Sequence, residues 1–361
     1  MKKICFFSGD ITRGGGTERV AAMIANGLAR QGKYKILFLS LVEQAPEPFF
    51  SLEPGIERYA LGKKWIQPGP GYLGVLPKLR RFLKKQDISV LIDIDLVLDV
   101  LSVPMSKGLS TKVISWGHFS FYFERESLYR RLIQDYSAKR SDYIITINQE
   151  NREQYETVLA RTERIRTIYN PVEEPGVRPE GGREKWILSV GRMETIKGID
   201  HLLDAAAVLL PKHRDWKWIA AGDGSQMSEL LEKRRALGLE EQVDFPGRVE
   251  HVEEYYRKAS VFALTSRSEG LPMCLLEAKT YGLPCVSFDI HTGPREIIRD
   301  GLDGFLAAPY DCEELAGKLE LLMNDTRLRE RFSENAGGNL DKFRMEDILA
   351  AWNEVIEELC S

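Results

Sequence analysis

The sequence holds little of what carries metal, redox or membrane chemistry. Five cysteines and five histidines occur among its 361 residues. Cys5, Cys274, Cys285, Cys312 and Cys360 form an odd count without a C-x-x-C pair, and none stands at zinc-module spacing from a histidine. This sets aside a disulfide framework and a zinc module and predicts reduced, buried thiols. No apolar run reaches the roughly 18 residues of a membrane-spanning helix; the longest, residues 90–103, is broken by Asp93, Asp95 and Asp99. Repeats and low-complexity segments are absent. The start, Met1-Lys2-Lys3-Ile4, enters a strand-like run without the apolar core and small-residue cleavage site of a signal peptide, so the expectation is a cytosolic protein. Neither sign of charge dominates, with 50 Lys and Arg against 54 Asp and Glu, and 43% of residues are hydrophobic. That composition excludes disordered and fibrous classes, and the length predicts two domains at roughly 100–200 residues each.

What is present is a repeated alternation of short β-branched runs with longer helical patterns, the form that βαβ units and parallel sheets take in sequence. In the first half the spacing predicts strands over 3–8, 36–41, 89–92, 113–115, 143–147 and 165–168. Residues 17–31 form the clearest helix, with Val20, Ala21, Ile24, Ala25 and Leu28 on one face. The Pro- and Gly-rich stretch 171–182 reads as a connector. Beyond it the pattern restarts, with strands over 186–190, 218–221, 242–245, 261–264 and 285–288 and helices over 199–210, 227–237, 252–258 and 275–281. Helices over 315–323, 327–335 and 348–359 close the chain. The expected organisation is a Rossmann-like domain over 1–170, the linker 171–182, a second Rossmann-like domain over 183–345, and a terminal helix over 346–361 that either packs back on the first domain or stays with the second.

Ligands of open parallel sheets bind where strands lead into helix amino termini. The first such loop, Ser8 to Arg19, contains Gly14-Gly15-Gly16. It lacks the G-x-G-x-x-G spacing, and the second strand lacks the acidic residue that holds a dinucleotide ribose, while no G-x-x-x-x-G-K-[ST] occurs anywhere. A dinucleotide fold and a P-loop are therefore rejected. After the first strand of the second half, Arg192 and Lys197 stand five residues apart ahead of a helix, a pairing suited to a diphosphate. In Ser266-Arg267-Ser268-Glu269-Gly270-Leu271-Pro272-Met273-Cys274-Leu275-Leu276-Glu277, Pro272 fits a first helical position and aims the amides of residues 270–274 outward. Glu277 falls roughly 7.5 Å along that helix. Two carboxylates then straddle an anion-binding turn and can accept hydrogen bonds from hydroxyls on either side of a bound diphosphate. Asp93-Ile94-Asp95 opens a turn in the first domain and is read as structural; no metal or other cofactor is expected.

These residues resemble the retaining glycosyltransferases of family four. The likeness runs through Gly14 to Arg19, Trp116-Gly117-His118, Tyr169-Asn170-Pro171-Val172, Gly191-Arg192 with Lys197-Gly198, Gly222-Asp223-Gly224, Gly247-Arg248-Val249 and the Glu269/Glu277 pair. Gly293-Pro294-Arg295-Glu296, with Asp300-Gly301 and Asp303-Gly304, is similar to the branch acting in polysaccharide, O-antigen or protein-glycan assembly. The resemblance implies the GT-B architecture, α/β with two Rossmann-like domains facing a central cleft. It implies transfer of a sugar from a nucleotide-sugar, with UDP expected, to a glycan or lipid-linked acceptor held by the first domain. The anomeric configuration is retained by front-face substitution, and the leaving phosphate takes the acceptor proton. In this reading the catalytic set is Arg192, Lys197, Glu269 and His118. Gly15, Gly16, Arg248, Val249, Gly270, Leu271, Pro272, Met273 and Glu277 bind the donor. Alternatives are a nucleotide-sugar epimerase or hydrolase of the same fold and a non-catalytic sugar-binding protein.

The charge is divided unevenly. Residues 1–170 hold 26 Lys and Arg against 18 Asp and Glu, or +8, and residues 171–361 hold 24 against 36, or −12. Lys78, Arg80, Arg81, Lys84 and Lys85 alternate with Leu76, Leu79, Phe82 and Leu83 within 76–85, and a second basic and aromatic stretch spans 119–140. Both favour an anionic membrane surface or a lipid-diphosphate acceptor at the inner face of the plasma membrane. Nucleic acid is not expected, because no recognition signature accompanies the charge.

Overall fold

The computed structural model describes residues 1–63, 70–173 and 182–361. The chain divides into two compact units, Met1–Pro171 with Met345–Ser361, and Val172–Arg344. The expected linker falls largely on 174–181, outside the described residues. Val172 donates its N–H to the Phe343 carbonyl at 3.1 Å, within the second unit. Among the described residues no helix is long and apolar enough to cross a membrane.

The first unit holds a seven-stranded sheet in the order β3-β2-β1-β4-β5-β6-β7. Its strands are β1 (Lys3–Ser8), β2 (Lys35–Val42), β3 (Glu57–Gly62), β4 (Val90–Asp93), β5 (Lys112–Gly117), β6 (Tyr143–Thr146) and β7 (Ile165–Thr167). The second holds six strands in the order β10-β9-β8-β11-β12-β13. These are β8 (Trp186–Val190), β9 (Lys217–Ala221), β10 (Val243–Asp244), β11 (Val261–Leu264), β12 (Cys285–Phe288) and β13 (Gly304–Ala307). Every strand pairing is parallel, with registers such as Lys3↔Lys35 and Ile187↔Trp218. Parallel strands covered on both faces need continuous apolar runs. Residues 36–42 and 261–264 supply them and are buried throughout.

In each sheet the strand order reverses once, between β1 and β4 and between β8 and β11. That switch point leaves a crevice at the carboxyl ends of the strands, where loops diverge to opposite faces. The terminal helix Met345–Cys360 buries Ile348, Leu349, Trp352, Val355, Ile356 and Leu359. Its Trp352 ring meets Trp116 edge-on at 4.8 Å, and Asn353 donates to Gln31 at 2.8 Å, so it belongs to the first unit. A Cβ at Gly27 would stand 2.7 Å from Leu349 Cδ1, which is why the facing helix Gly16–Gln31 carries glycine there.

Two strands were not anticipated. β3 is half-buried except at the exposed Ala60 and forms the sheet edge, so its residues Glu57 to Gly62 show no apolar run. β13 starts at Gly304, where a Cβ would lie 2.4 Å from the Cys285 carbonyl oxygen, and close strand approach replaces the bulky residues that mark a strand in sequence. Of the thiols, only Cys5 and Cys285 are fully buried; Cys274, Cys312 and Cys360 are half-buried.

Candidate active site

The loops that follow β8 and β11 flank the switch point of the second sheet. After β8 the chain passes Gly191 to Glu194, makes one tight turn over Thr195–Lys197, and enters the helix Ile199–Leu209 through Gly198. Gly198 has φ 59°, and a Cβ there would stand 2.1 Å from the Thr265 carbonyl oxygen. Only glycine meets both conditions. Gly222 has φ 147°, with a Cβ position 1.7 Å from the Gly191 carbonyl oxygen. Met193 N–H donates to the Asp223 carbonyl, and Gly191 N–H to that of Ala221, each at 3.0 Å. Backbone therefore packs on backbone beneath Arg192.

Lys197 reaches across to the neighbouring loop, where its Nζ lies 2.6 Å from Glu269 Oε1. Ser266 Oγ donates to the same oxygen at 2.6 Å, and Thr292 Oγ1 donates to the Glu269 carbonyl. Glu269 is buried and Lys197 half-buried. Burial works most strongly against the Lys197 ammonium, but the charge of Glu269, the Cys274 thiol and the hydrogen bond to Glu269 together outweigh it and hold the lysine above its usual pKa. The ammonium persists at neutral pH. Arg192 stands exposed close enough to Lys197 to repel it, and its guanidinium has no ion-pair partner among the described residues. Arg267 instead turns away from the crevice, gripping Asp200 in bidentate fashion at 2.7 and 2.6 Å, while its N–H donates to the Ile196 carbonyl at 2.8 Å.

The helix Met273–Thr280 starts one residue later than its proline suggested. Pro272 is the cap, with extended ψ 101°, because the preceding turn folds against Gly293, where a Cβ would stand 2.6 Å from Pro272 Cδ. No side chain caps the start of this helix. Gly270, Leu271 and Pro272 are buried and Met273 is half-buried. Glu277, the fifth residue of the helix, accepts a 2.8 Å hydrogen bond from Tyr256 Oη. The Tyr256 ring is buried and stacks on Tyr281 at 5.4 Å and 12°. The Cys274 thiol is pushed well up by burial, opposed by Lys197 and reinforced by Glu269 and Glu277, which places all three charges around one helix start. Arg248 is exposed and Val249 half-buried on the loop after β10, which is tied to the crevice by Gly222 N–H donating to the Gly247 carbonyl at 2.9 Å.

In the first unit the glycine loop follows β1. Gly15 caps the helix Gly16–Gln31, and a Cβ on it would lie 2.2 Å from Glu18 Oε2. His118 follows β5, buried, with its ring 4.3 Å from Trp116. Burial lowers its pKa to about 3, so the imidazole is neutral at pH 7. Between these loops Asp93 and Asp99 are fully buried near each other, with Ser102 donating to Asp93 and Ser115 to Asp99. Burial, and then the charge of Asp99, raise the Asp93 carboxyl well above the ordinary carboxylate range. Asp95 caps the next turn, accepting from Val97 N–H at 3.2 Å. Glu124, buried and paired with Arg130 at 3.0 Å, is raised to about 7 by burial and then by Asp95.

Lys197, Glu269, Glu277 and the helix start thus gather within one unit, whereas Gly15, Gly16 and His118 belong to the other. Tyr256, Thr292 and Glu124 were not singled out from the sequence. They reach the loops across sequence gaps that no local spacing encodes. Ser266 was inside the motif, and its hydroxyl three residues before Glu269 was the available signal.

Residues 14–174 match the family Glycosyltransferase Family 4, and residues 173–338 match Glycosyl transferases group 1. A Haemophilus influenzae protein named as an uncharacterized glycosyltransferase is 32% identical over 357 residues, covering 99% of this chain and all of its own. An alpha-1,4-N-acetyl-D-galactosaminyltransferase of Campylobacter jejuni, whose name specifies a glycan on diNAcBac-PP-undecaprenol, is 27% identical over 368 residues, with 99% of each chain covered. Among solved structures, Anabaena HepE in complex with UDP and glucose matches in fold, with TM-score 0.85 at 20% identity over 99% of this chain and 100% of that one. Two parallel Rossmann-like units, the loops at their switch points and these matches lead to one assignment: the chain belongs to glycosyltransferase family four and is a glycosyltransferase of the GT-B type.

Proposed function

We propose that the protein transfers a sugar from a UDP-sugar to a glycan on a lipid-diphosphate carrier, with retention at the anomeric carbon and without a metal. The observation that carries this reading is the Lys197–Glu269 pair at the switch point, beside exposed Arg192 and an uncapped helix start. In the proposed geometry the donor diphosphate meets Arg192, Lys197 and the segment 270–273, in which Leu271 and Met273 supply N–H groups. Glu277 accepts from ribose hydroxyls and Glu269 from those of the sugar, while Arg248 and Val249 flank the base. Gly15 and Gly16 approach the phosphates, and neutral His118 offers a hydrogen bond to the sugar. The acceptor oxygen attacks the anomeric carbon on the face that the phosphate leaves. The breaking bond's electrons pass to the phosphate oxygen, which takes the acceptor proton. Fixed cations at the leaving group then do the work that a metal does in other transferases.

The choice of uridine follows HepE, whose complex holds UDP, and the choice of acceptor follows the Campylobacter relative. A thermal-shift panel of UDP, GDP, ADP and their sugar conjugates tests the donor site. UDP and one UDP-sugar are expected to raise the melting temperature of the wild type and not of Arg192→Ala. Equal stabilisation of that variant, or none of folded wild type, contradicts the site.

A lipid-linked acceptor implies contact with a bilayer. Leu128, Tyr129 and Leu132 are 72, 52 and 59% exposed, and Arg131, Lys139 and Arg140 are exposed on the same helix, Leu128–Arg140. The rest of the second basic stretch is used internally. Arg130 lies over the Phe123 ring at 4.9 Å, Arg125 pairs with Asp135 at 2.7 Å, and Phe121 is buried. In the first stretch Arg80 donates to the Met105 and Lys107 carbonyls, leaving Lys78, Arg81, Lys84 and Lys85 exposed. Vesicles containing anionic lipid should sediment the wild type at low salt and Leu128→Ser/Leu132→Ser much less; no sedimentation of the wild type would remove membrane contact from the proposal.

A further inference from the structure

We propose that His201, Asp204 and Cys312 form a binding site for a zinc-like divalent cation, apart from the residues assigned to sugar transfer. His201 and Asp204 are three apart on the helix Ile199–Leu209 and so share a face. Cys312 opens the helix Cys312–Asn324, 111 residues from His201 in sequence. The three ligand atoms lie within 4.8 Å of one another, and all three residues are half-buried. His201 Nδ1 and Cys312 Sγ are 3.7 Å apart. Tetrahedral zinc, with bonds of roughly 2.0–2.3 Å to these atoms, holds its nitrogen and sulfur ligands about 3.6 Å apart.

The ring is already turned for this. Tyr310 stacks on His201 at 5.6 Å and 24°, and Phe288 meets it edge-on at 5.8 Å, so Nδ1 faces the thiol without a metal to orient it. One imidazole, one thiol and one carboxylate form a donor set for zinc rather than for magnesium or calcium, and three protein ligands leave a fourth position for water. The charged groups around His201 are Arg267, Asp200, Asp204 and Lys233. Arg267 is engaged by Asp200, and Lys233 lies 2.6 Å from Asp204 Oδ1; a carboxylate has two oxygens, so lysine and cation can share it. Burial and Arg267 hold the imidazole below its usual pKa, in the neutral form that ligates. Burial, and then Asp204, push the Cys312 thiol up, so it gives its proton to solvent as the metal–sulfur bond forms, with no change in oxidation state.

The position has a consequence for the loop that bears Glu269. Tyr310 Oη donates to the Arg267 carbonyl at 3.2 Å, and Arg267 is bound through its side chain to Thr195 and Asp200. A cation on His201 and Cys312 fastens the stacked Tyr310 and, through it, this loop. Without a cation the same atoms make a thiol–imidazole hydrogen bond and a Lys–Asp ion pair.

The test uses the full chain, stripped with chelator and titrated with Co²⁺ under reducing conditions. The wild type should take up one cobalt per chain, with the visible bands of tetrahedral cobalt and a near-ultraviolet thiolate-to-cobalt band, both erased by one equivalent of Zn²⁺. Cys312→Ser should lose the thiolate band, and His201→Ala should bind at least tenfold more weakly. Melting in chelator reports whether each variant is folded; should His201→Ala fail to fold, Asp204→Asn replaces it and must show the same weakening. A folded wild type without a thiolate-to-cobalt band, or a band that survives in Cys312→Ser, overturns the site and leaves only the hydrogen bond.

Discussion

Glu124 shows how a single buried carboxylate reports on its surroundings. Its pKa is raised from 4.5 to about 7 by burial and then by Asp95, so the native state holds a proton that the unfolded chain gives up. The sign follows from proton binding: the stabilisation is complete below pH 4.5 and is lost as pH rises through about 7. His118 acts in the opposite sense, being neutral when folded with a pKa near 3, so its contribution is complete above pH 6.5 and declines as pH falls. Glu124→Gln mimics the protonated acid. Relative to wild type, this variant should gain stability between pH 5 and pH 8, by at most about 3 kcal/mol from the size of the shift. Denaturant unfolding at the two pH values measures the difference; parallel curves would mean that Glu124 titrates normally. At this scale local spacing was enough to single out Arg192 and Lys197, which lie on one loop, and Glu269 and Glu277, which lie in one loop-and-helix segment eight residues apart. It was silent on Tyr256 and Thr292, whose hydrogen bonds to Glu277 and Glu269 depend on the tertiary fold.

Among the elements, the helix Met273–Thr280 carries a fully buried ion pair. Lys279 on it is fully buried, 2.5 Å from Asp303 Oδ1, and Arg299 holds the other oxygen at 2.5 Å. A buried ion pair contributes little net stability when intact but is costly to break, because the remaining charge loses both water and partner. Asp303→Asn should therefore destabilise the second unit by about 3–5 kcal/mol. Lys279→Met/Asp303→Leu, which removes the two fully buried charges and leaves only the half-exposed Arg299, should recover much of that loss; equal damage from both would point to packing alone. Asp303 was legible as part of an Asp-Gly repeat beside Gly304, but its partner was not, since 24 residues separate it from Lys279. The strands were read best where they are buried on both faces, as β1, β8, β11 and β12 are. Edge strand β3 and glycine-led β13 escaped because solvent in one case and close backbone in the other replaced the apolar run.

For the whole chain, alternation of strands and helices, the connector near residue 171 and the loop motifs were sufficient to read two Rossmann-like units and the glycosyltransferase family. Strand order was not legible, because the reversal at β8 and β11 that sets Lys197 beside Glu269 is a property of the assembled sheet. Retaining transfer from a UDP-sugar by that pair of loops is tested most directly by proton NMR of the enzyme with α-linked UDP-sugars and a lipid-diphosphate-linked glycan. Loss of the donor anomeric signal should be matched by a new α-glycosidic signal and stoichiometric UDP, and Glu269→Ala should slow this by at least about 100-fold, as for a group acting in the transition state. A β-linked product, release of free sugar alone, or undiminished transfer by Glu269→Ala would contradict it.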